Sequence, residues 1–495
     1  MTRICVLVLL GFSAASTAAP IAVDHRKQLF LDDYLIASMN NVQRRIQPAE
    51  KHPANPVIWA EEAWEEKLVT LYGSVIRDQG RYKAWYKCGG GIAYAESDDG
   101  ITWSKPPLDV VLVDGRKTNV LLRKTGKFNG AEGYPYFYEL FGVHKDVKDP
   151  DPSRRYKMGF LNIETGYKGP GGDPFHPGQR RGLGVAGSPD GIHWKLIDNW
   201  ATEAICDGAT HWMFDPARDR YVLYGRTRKT LPEVEAAWSK YDWYKDWHSG
   251  RAVARVESPD FLTWDFTRPA SAPVVLTADL GDKPGTEIYS MKVFPYESVY
   301  IGLVQVYMAL PDESTLDVQL AVSRDSVHFT RVGDRSPFIP LGGVGSWDRF
   351  NLSLANNDPH PDGDRLRFYY GGRMYRHTPY KGPDTGPTRS GIGFATIRKD
   401  RFVALQASFD GGQIVTRPLL LTGRTLRLNA QANFGEIIVE VLDDAGKTLA
   451  RSEEIRVDNL DIPVAWRDGG FPPDGRPVQL RITLKNALLF AIWCT

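Results

Sequence analysis

One sequence paragraph recurs five times along this chain: a polar turn, an aromatic-rich strand opening on Arg-Tyr or a near equivalent, and a second short strand. In four copies the paragraph closes on a Ser-x-Asp turn capped by an aromatic residue. These are Ser97-Asp98-Asp99-Gly100 before Trp103, Ser188-Pro189-Asp190-Gly191 before Trp194, Ser258-Pro259-Asp260-Phe261 before Trp264, and a degenerate copy, Ser323-Arg324-Asp325-Ser326 before Phe329. Asp-Gly is a hairpin signal, and a Ser or Asp side chain can bond the backbone of its own turn while the aromatic ring packs between sheets. A unit this short cannot bury both faces of its own sheet, so it must stack against copies of itself, which predicts a β-propeller.

The strands ahead of the turns support this independently. Arg81-Tyr82-Lys83-Ala84-Trp85-Tyr86, Arg155-Tyr156-Lys157-Met158, Arg220-Tyr221-Val222-Leu223-Tyr224, Val299-Tyr300-Ile301 and Leu366-Arg367-Phe368-Tyr369-Tyr370 are rich in aromatic and β-branched residues, and each follows a cluster of turn formers. Five units predict five blades over residues 19–405, the last without its Ser-x-Asp turn. A propeller closes its ring by lending a terminal strand to the last blade, and the apolar segment Gln28-Leu29-Phe30-Leu31-Asp32-Asp33-Tyr34-Leu35-Ile36 is the expected donor. After residue 405 the pattern changes to alternating strands such as Glu436-Ile437-Ile438-Val439-Glu440-Val441 and Val478-Gln479-Leu480-Arg481-Ile482, joined by turns such as Asp443-Asp444-Ala445-Gly446. The fold class expected is therefore all-β, with a small β-sandwich at 406–495 after the propeller.

With 61 Lys plus Arg against 60 Asp plus Glu, the chain has no charge excess of the kind that nucleic acid or an anionic membrane demands. The partner expected is uncharged or recognised locally. Residues 1–18, with Arg3, an apolar run from Ile4 to Leu10 and small residues after it, read as a signal peptide, so a secreted or periplasmic protein is expected. Its removal would leave Cys88, Cys206 and Cys494, too few for a disulfide framework and without the spacing of a zinc site, so buried thiols and no metal are expected. One stretch breaks the all-β pattern. Residues 231–247, dense in Trp and Tyr, begin as a short helix between two strands of the third unit. Insertions of this kind in a rigid scaffold often cover a cleft, and Trp243 is a candidate for stacking on a sugar face.

The Ser-x-Asp-Gly turns ending in Trp, the Asn55-Pro56-Val57 segment, Leu29-Phe30-Leu31-Asp32-Asp33-Tyr34 near the start and Gly435-Glu436-Ile437 with Pro477-Val478-Gln479 near the end together resemble the five-bladed propeller glycoside hydrolases. The likeness is to exported family 32- and 43-like proteins that carry a C-terminal β-sandwich. It implies a secreted glycosidase acting on a plant or algal oligosaccharide or polysaccharide, without a cofactor. The catalytic motifs of the invertase group, Trp-Met-Asn-Asp-Pro-Asn and Arg-Asp-Pro, are not found in their places, so sucrose or fructan specificity does not carry over.

Glycoside cleavage needs two carboxyl groups across one bond, one acting as acid and the other as base or nucleophile. In a propeller the innermost strand of each blade lines the axial funnel, so useful acids lie just ahead of or within those strands. This selects Glu65, Glu132, Asp207, Glu287 and Asp348, one per blade, and leaves Asp99, Asp190, Asp260 and Asp325 as turn residues. Asp207 and Glu287, each at the mouth of a predicted inner strand, form the expected catalytic pair, with carboxyl groups roughly 5 to 10 Å apart; Asp348 is the third acid. Glu65, Glu132, His211, Arg226, Arg228, Tyr289 and Arg373 are the candidates for substrate binding. Two other functions fit the same pattern. A propeller can bind glycan without cleaving it, and a polysaccharide lyase could take its base from Tyr289 or His211 and neutralise a uronate through Arg226.

Overall fold

The computed structural model describes residues 19–123, 136–170, 172–204, 207–266, 268, 271–378, 389–467 and 475–495. The signal peptide expected at 1–18, Glu132 and Cys206 lie outside them. No helix among the described residues is long and apolar enough to cross a membrane.

The repeat folds as five antiparallel blades. Blade one comprises Val69–Asp78, Arg81–Cys88, Gly91–Ser97 and Val120–Arg123; blade two Tyr136–Lys145, Tyr156–Thr165, Gln179–Ser188 and Lys195–Thr202; blade three His211–Asp215, Arg220–Arg228, Arg251–Ser258 and Val274–Leu276. Blade four contains Thr286–Tyr296, Val299–Met308, Thr315–Ser323 and Thr330–Arg331, and blade five Asn351–Leu354, Arg365–Arg373 and Ser390–Arg398. The all-β propeller with a β-sandwich expected from the sequence is thus what the structure shows.

Both faces of a blade are covered by its neighbours, which is why the inner strands read as nearly continuous apolar runs. Apolar clusters fill the spaces between successive blades. Trp85, Tyr94, Leu140 and Met158 join blades one and two, and Leu161, Leu183, Trp212 and Phe261 join two and three. Between blades four and five the seam is a cluster of rings, with Phe338 edge-on to Phe368 at 5.3 Å and stacked on Phe402 at 5.8 Å. Fully burying one such side chain contributes about 1.5–3 kcal/mol.

The Ser-x-Asp turns are the latches between blades. In blade two, Asp190 Oδ1 accepts from the amides of Ile192 and His193 at 2.8 and 2.9 Å, and Ser188 Oγ accepts from Gly191 N at 2.9 Å. Those donors hold the Asp190 carboxyl down at about 2 against the opposing effect of its burial. The carbonyl so presented is then taken by the second strand of the preceding blade. Trp85 Nε1 donates to Gly191 O at 2.6 Å, Lys157 Nζ to Asp260 O at 3.3 Å, Tyr224 OH to Ser326 O at 2.8 Å, and Tyr369 OH to Gly100 O at 2.9 Å. Blade five lacks the motif, and Tyr296 of blade four instead donates to Asp400 Oδ1 at 2.7 Å. The fourth turn residue is left-handed in every copy, with φ of 72° at Gly100, 82° at Gly191, 68° at Phe261 and 63° at Ser326. A Cβ at Gly191 would also sit 2.6 Å from Trp85 Cζ2. Gly191→Ala is therefore expected to lower stability by about 1–3 kcal/mol, read as an earlier urea midpoint with an unchanged m-value.

Two features differ from the sequence expectation, and both concern the first residues. The ring is closed by Glu50–Lys51 and Ile58–Trp59, each antiparallel to Ser390–Arg398, rather than by the Gln28 to Ile36 segment. Asn55 sits between the two short strands, and its side chain exchanges hydrogen bonds with the Phe394 backbone at 2.8 and 3.0 Å, which supplies the pairing an extended strand would have made. The chain divides into two compact units, and residues 19–28 and 33–43 group with 406–495 while 29–32 and 44–405 form the other unit. Within the smaller unit, Ile36–Asn40, Gly412–Thr416, Gln479–Lys485, Glu436–Leu442 and Thr448–Arg451 form one sheet, and Ile21–Val23 runs parallel to Leu419–Leu421. Asp458–Pro463, Leu426–Gln431 and Ala487–Cys494 pair in a second sheet. The N-terminal strands go where unpaired sheet edges receive their backbone groups. Cys88 and Cys494 are free and buried, and burial pushes their thiols up to about 12 and about 11.

Candidate active site

The inner strands begin at one end of the propeller, and the side chains at these starts converge on three tyrosines. Tyr72 of blade one and Tyr289 and Tyr307 of blade four form one buried cluster with Ala209 of the loop ahead of blade three. Cations surround it. The Arg226 guanidinium lies 3.7 Å from the Tyr289 ring centre, Arg251 5.0 Å from Tyr307, and Lys87 and Arg373 5.8 and 5.5 Å from Tyr72. Packing cations over ring faces is favourable and orients the guanidinium planes.

Asp207 meets this platform from the loop ahead of blade three. Its Oδ2 accepts from Arg226 Nη1 at 2.7 Å, and its Oδ1 accepts from Gly208 N at 2.8 Å and Arg181 Nη1 at 3.3 Å. Burial raises its pKa, but the Arg226 charge and the other donors win and hold the carboxyl at about 2. Its side chain remains 24% exposed, so a face is left for a ligand. Arg226 also donates to Tyr289 O at 3.0 Å, which ties blade three to the inner strand of blade four.

Glu139, in the first strand of blade two, is another carboxylate at this end, and it was not among the acids expected from sequence. Lys87 Nζ donates to it at 3.0 Å. A Cβ at Gly208 would fall 1.6 Å from Glu139 Oε2, so the backbone just after Asp207 lies against this carboxylate only because residue 208 has no side chain. A register shift between Phe137 and Glu139 turns the strand here. That bulge removes the period-2 cue by which the acid could have been assigned to the funnel.

The other described acids expected from sequence, Glu287, Glu65 and Asp348, have structural work. Glu287, the intended partner of Asp207, is fully buried, and accepts from Ser249 N at 2.5 Å, Gly250 N at 2.7 Å and the Arg251 guanidinium. Despite burial, Arg251 and these amides lower its pKa, so it stays ionised with no open face. Glu65 is also fully buried. It closes a capping box around a short 3-10 turn and takes a hydrogen bond from Tyr86 at 2.9 Å and an ion pair from Lys105 at 2.8 Å. Asp348 accepts from Lys51 at 2.6 Å and Tyr370 at 2.9 Å, and so anchors the ring-closing strand of blade five.

Of the expected binding residues, Arg226, Tyr289 and Arg373 are on the platform. His211 is buried, with Nε2 3.4 Å from Ser290 Oγ, and desolvation lowers its pKa to about 3. Arg228 donates to Ser249 O at 3.1 Å. Trp243 stacks on Tyr241 at 5.5 Å and packs with the cluster of Val234, Trp238 and Ala278, so it serves the insertion's own core. The insertion carries helices Pro232–Trp238 and Tyr244–Trp247, and just past it Ser249 and Gly250 are the donors to Glu287.

His377 is a further residue that sequence reasoning missed. Its Nε2 lies 2.9 Å from the Tyr289 hydroxyl. Desolvation and then the charges of Arg251, Arg226 and Arg373 lower its pKa to about 3, so the ring is neutral. Nothing in the stretch Tyr375-Arg376-His377-Thr378 marks it, because its place depends on the loop after blade five's second strand. Among the described residues no group of three or more His, Cys, Asp or Glu side chains is placed to hold a metal ion.

No protein-family model matches this sequence, and no curated protein sequence is significantly similar to it. Among solved structures the chain is similar to a putative glycoside hydrolase from Bacteroides ovatus, at 13% identity and a TM-score of 0.46, over 72% of this chain and 98% of that one. It is also similar to an N-acetylgalactosamine deacetylase from F. plautii, at 16% identity and 0.40, over 78% and 96% of the two chains. A third is a GH32 β-fructofuranosidase of Bombyx mori, at 10% identity and 0.40, over 91% and 93%. Likeness this distant decides neither fold nor chemistry, and both are read from the chain's own strands and side chains.

Proposed function

We propose that this protein is an exported enzyme that cleaves glycosidic bonds in an oligosaccharide or polysaccharide at the tyrosine-lined end of its propeller. The observation that carries this is Asp207, a carboxylate kept ionised by Arg226 and Arg181 yet partly open, with the Glu139 carboxylate against the next residue. A carboxylate in that state serves as nucleophile or base, and a second carboxyl beside it is what acid–base glycoside cleavage requires. The buried Tyr72 and Tyr289 rings orient the cations packed over them, and guanidinium groups suit sugar hydroxyls.

The test is to incubate the intact protein with a panel of plant and algal oligosaccharides and measure new reducing ends. Release that Glu139→Gln removes supports the assignment; tight binding without release would make the propeller a glycan-binding module. A second reading is favoured by the neutral His377 beside the Tyr289 hydroxyl, since such a pair can move a proton in lyase chemistry. Unsaturated products, seen by ultraviolet absorbance, would identify it.

If Asp207 and Glu139 work together, Gly208 sets their spacing. Gly208→Ala pushes only the end of the flexible Glu139 side chain, so the fold should hold. Turnover is expected to drop roughly 10- to 100-fold from the displaced carboxylate, measured as kcat with the thermal midpoint as control.

A further inference from the structure

The cations at this end of the propeller are not all matched. Lys87 is paired with Glu139 at 3.0 Å, Arg226 with Asp207 at 2.7 Å, Arg251 with Glu287, and Arg181 with Asp207 at 3.3 Å and Asp173 at 3.8 Å. Arg373 differs from all of these. Its side chain makes no hydrogen bond or ion pair with any described residue, and its Nε is sealed from solvent without an acceptor. The guanidinium is held instead by rings, 5.5 Å from the centre of Tyr72 and 5.7 Å from that of Tyr375.

The position of Arg373 is as telling as its lack of a partner. It ends the second strand of blade five, opposite Asn351, the first residue of that blade's inner strand. Its charge acts on Tyr72 of blade one, Glu139 of blade two and Tyr289 of blade four, so it faces the common axis. It also joins Arg251 and Arg226 in the field that keeps His377 neutral, opposed by Asp207. The whole chain carries a formal charge of only +1, so this positive potential is local. A guanidinium whose Nε is sealed from water without an acceptor is costly, and a planar fork on a rigid aromatic mount suits an incoming carboxylate or sulfate.

We propose that the substrate is an acidic saccharide, and that Arg373 receives its anionic group, a uronate carboxylate or a sugar sulfate. The proposal rests on the glycan-processing reading of the site but concerns what is bound rather than what is cleaved.

Calorimetric titration of the intact protein tests it. The probes are oligogalacturonides and their carboxyl-reduced, neutral counterparts, and in parallel a sulfated galactan oligosaccharide with its desulfated form. At least one acidic probe should bind about tenfold or more tighter than its neutral counterpart, with affinity falling as salt is raised. The acidic series that shows the preference identifies the group. Arg373→Gln should bring the acidic and neutral affinities together, and Arg373→Lys should keep part of the difference, with thermal midpoints confirming that both variants are folded. Equal affinity for acidic and neutral probes, no binding of either acidic series, or a loss in Arg373→Gln that is the same for both forms would each overturn the proposal. Acidic binding that depends on Arg373 without any cleavage would leave it standing and remove the enzyme reading; cleavage confined to neutral glycans would do the reverse.

Discussion

Asp207→Asn is expected to lower turnover on a cleaved glycan by about 10³-fold or more, because the amide keeps the shape and one acceptor but cannot act as nucleophile or base. The protein should remain folded. Arg226 and Arg181 donate to different oxygens, so only one of them keeps an acceptor in Asn and both lose the ion pair, and a stability loss of about 1–3 kcal/mol accompanies the change. The native carboxyl is held at about 2, below the 3.8 of the unfolded chain. Its contribution to stability is therefore complete above pH 3.8 and is lost as pH falls through about 2. In the wild type, Asp207 at about 2 and His377 at about 3 do not change charge between pH 5 and 8, so neither should produce a limb in the rate profile there. Near-native turnover in Asp207→Asn would sink the proposed role.

Glu287→Gln separates a different kind of importance. Glu287 holds two consecutive backbone amides at the end of the aromatic insertion as well as the Arg251 guanidinium, with no part of it open to solvent. Removing one charge from a buried pair leaves the other uncompensated, at a cost of about 3–5 kcal/mol. The expected result is a large drop in the urea midpoint, and faster proteolysis between residues 231 and 250, where the anchored segment is released. Since the carboxyl is lowered by Arg251 and these donors, the stability it supplies is present above pH 4.5 and lost on acidification. A variant with unaltered stability but abolished turnover would return Glu287 to the catalytic pair.

These two variants mark how far the sequence could be read. Five Arg-Tyr-like strands and four Ser-x-Asp turns suffice for the blades, because a strand's composition and a turn's chemistry are local. The same locality explains why Asp207, Arg226, Tyr289 and Arg373 could be named as candidates: each sits next to a strand end that the pattern locates. Glu65, Glu287 and Asp348 fit the same pattern equally well. What distinguishes them is whether Lys105, Arg251 or Lys51 fills the space in front of the carboxylate, and those partners lie 40, 36 and 297 positions away in the chain.

What the sequence by itself determined is the repeating unit, the all-β class, the change to sandwich strands after residue 405, and the set of polar groups that begin the inner strands. Only the tertiary structure decided which of those groups meet. It closed the ring with Glu50–Lys51 and Ile58–Trp59, paired Ile36–Asn40 with Gly412–Thr416, brought Glu139 against Gly208, and set Arg373 against Tyr72 without an acid. The physical reason is that strand formation depends on residues a few positions apart, whereas ionisation and exposure depend on whichever charges and rings the closed ring brings within a few ångströms.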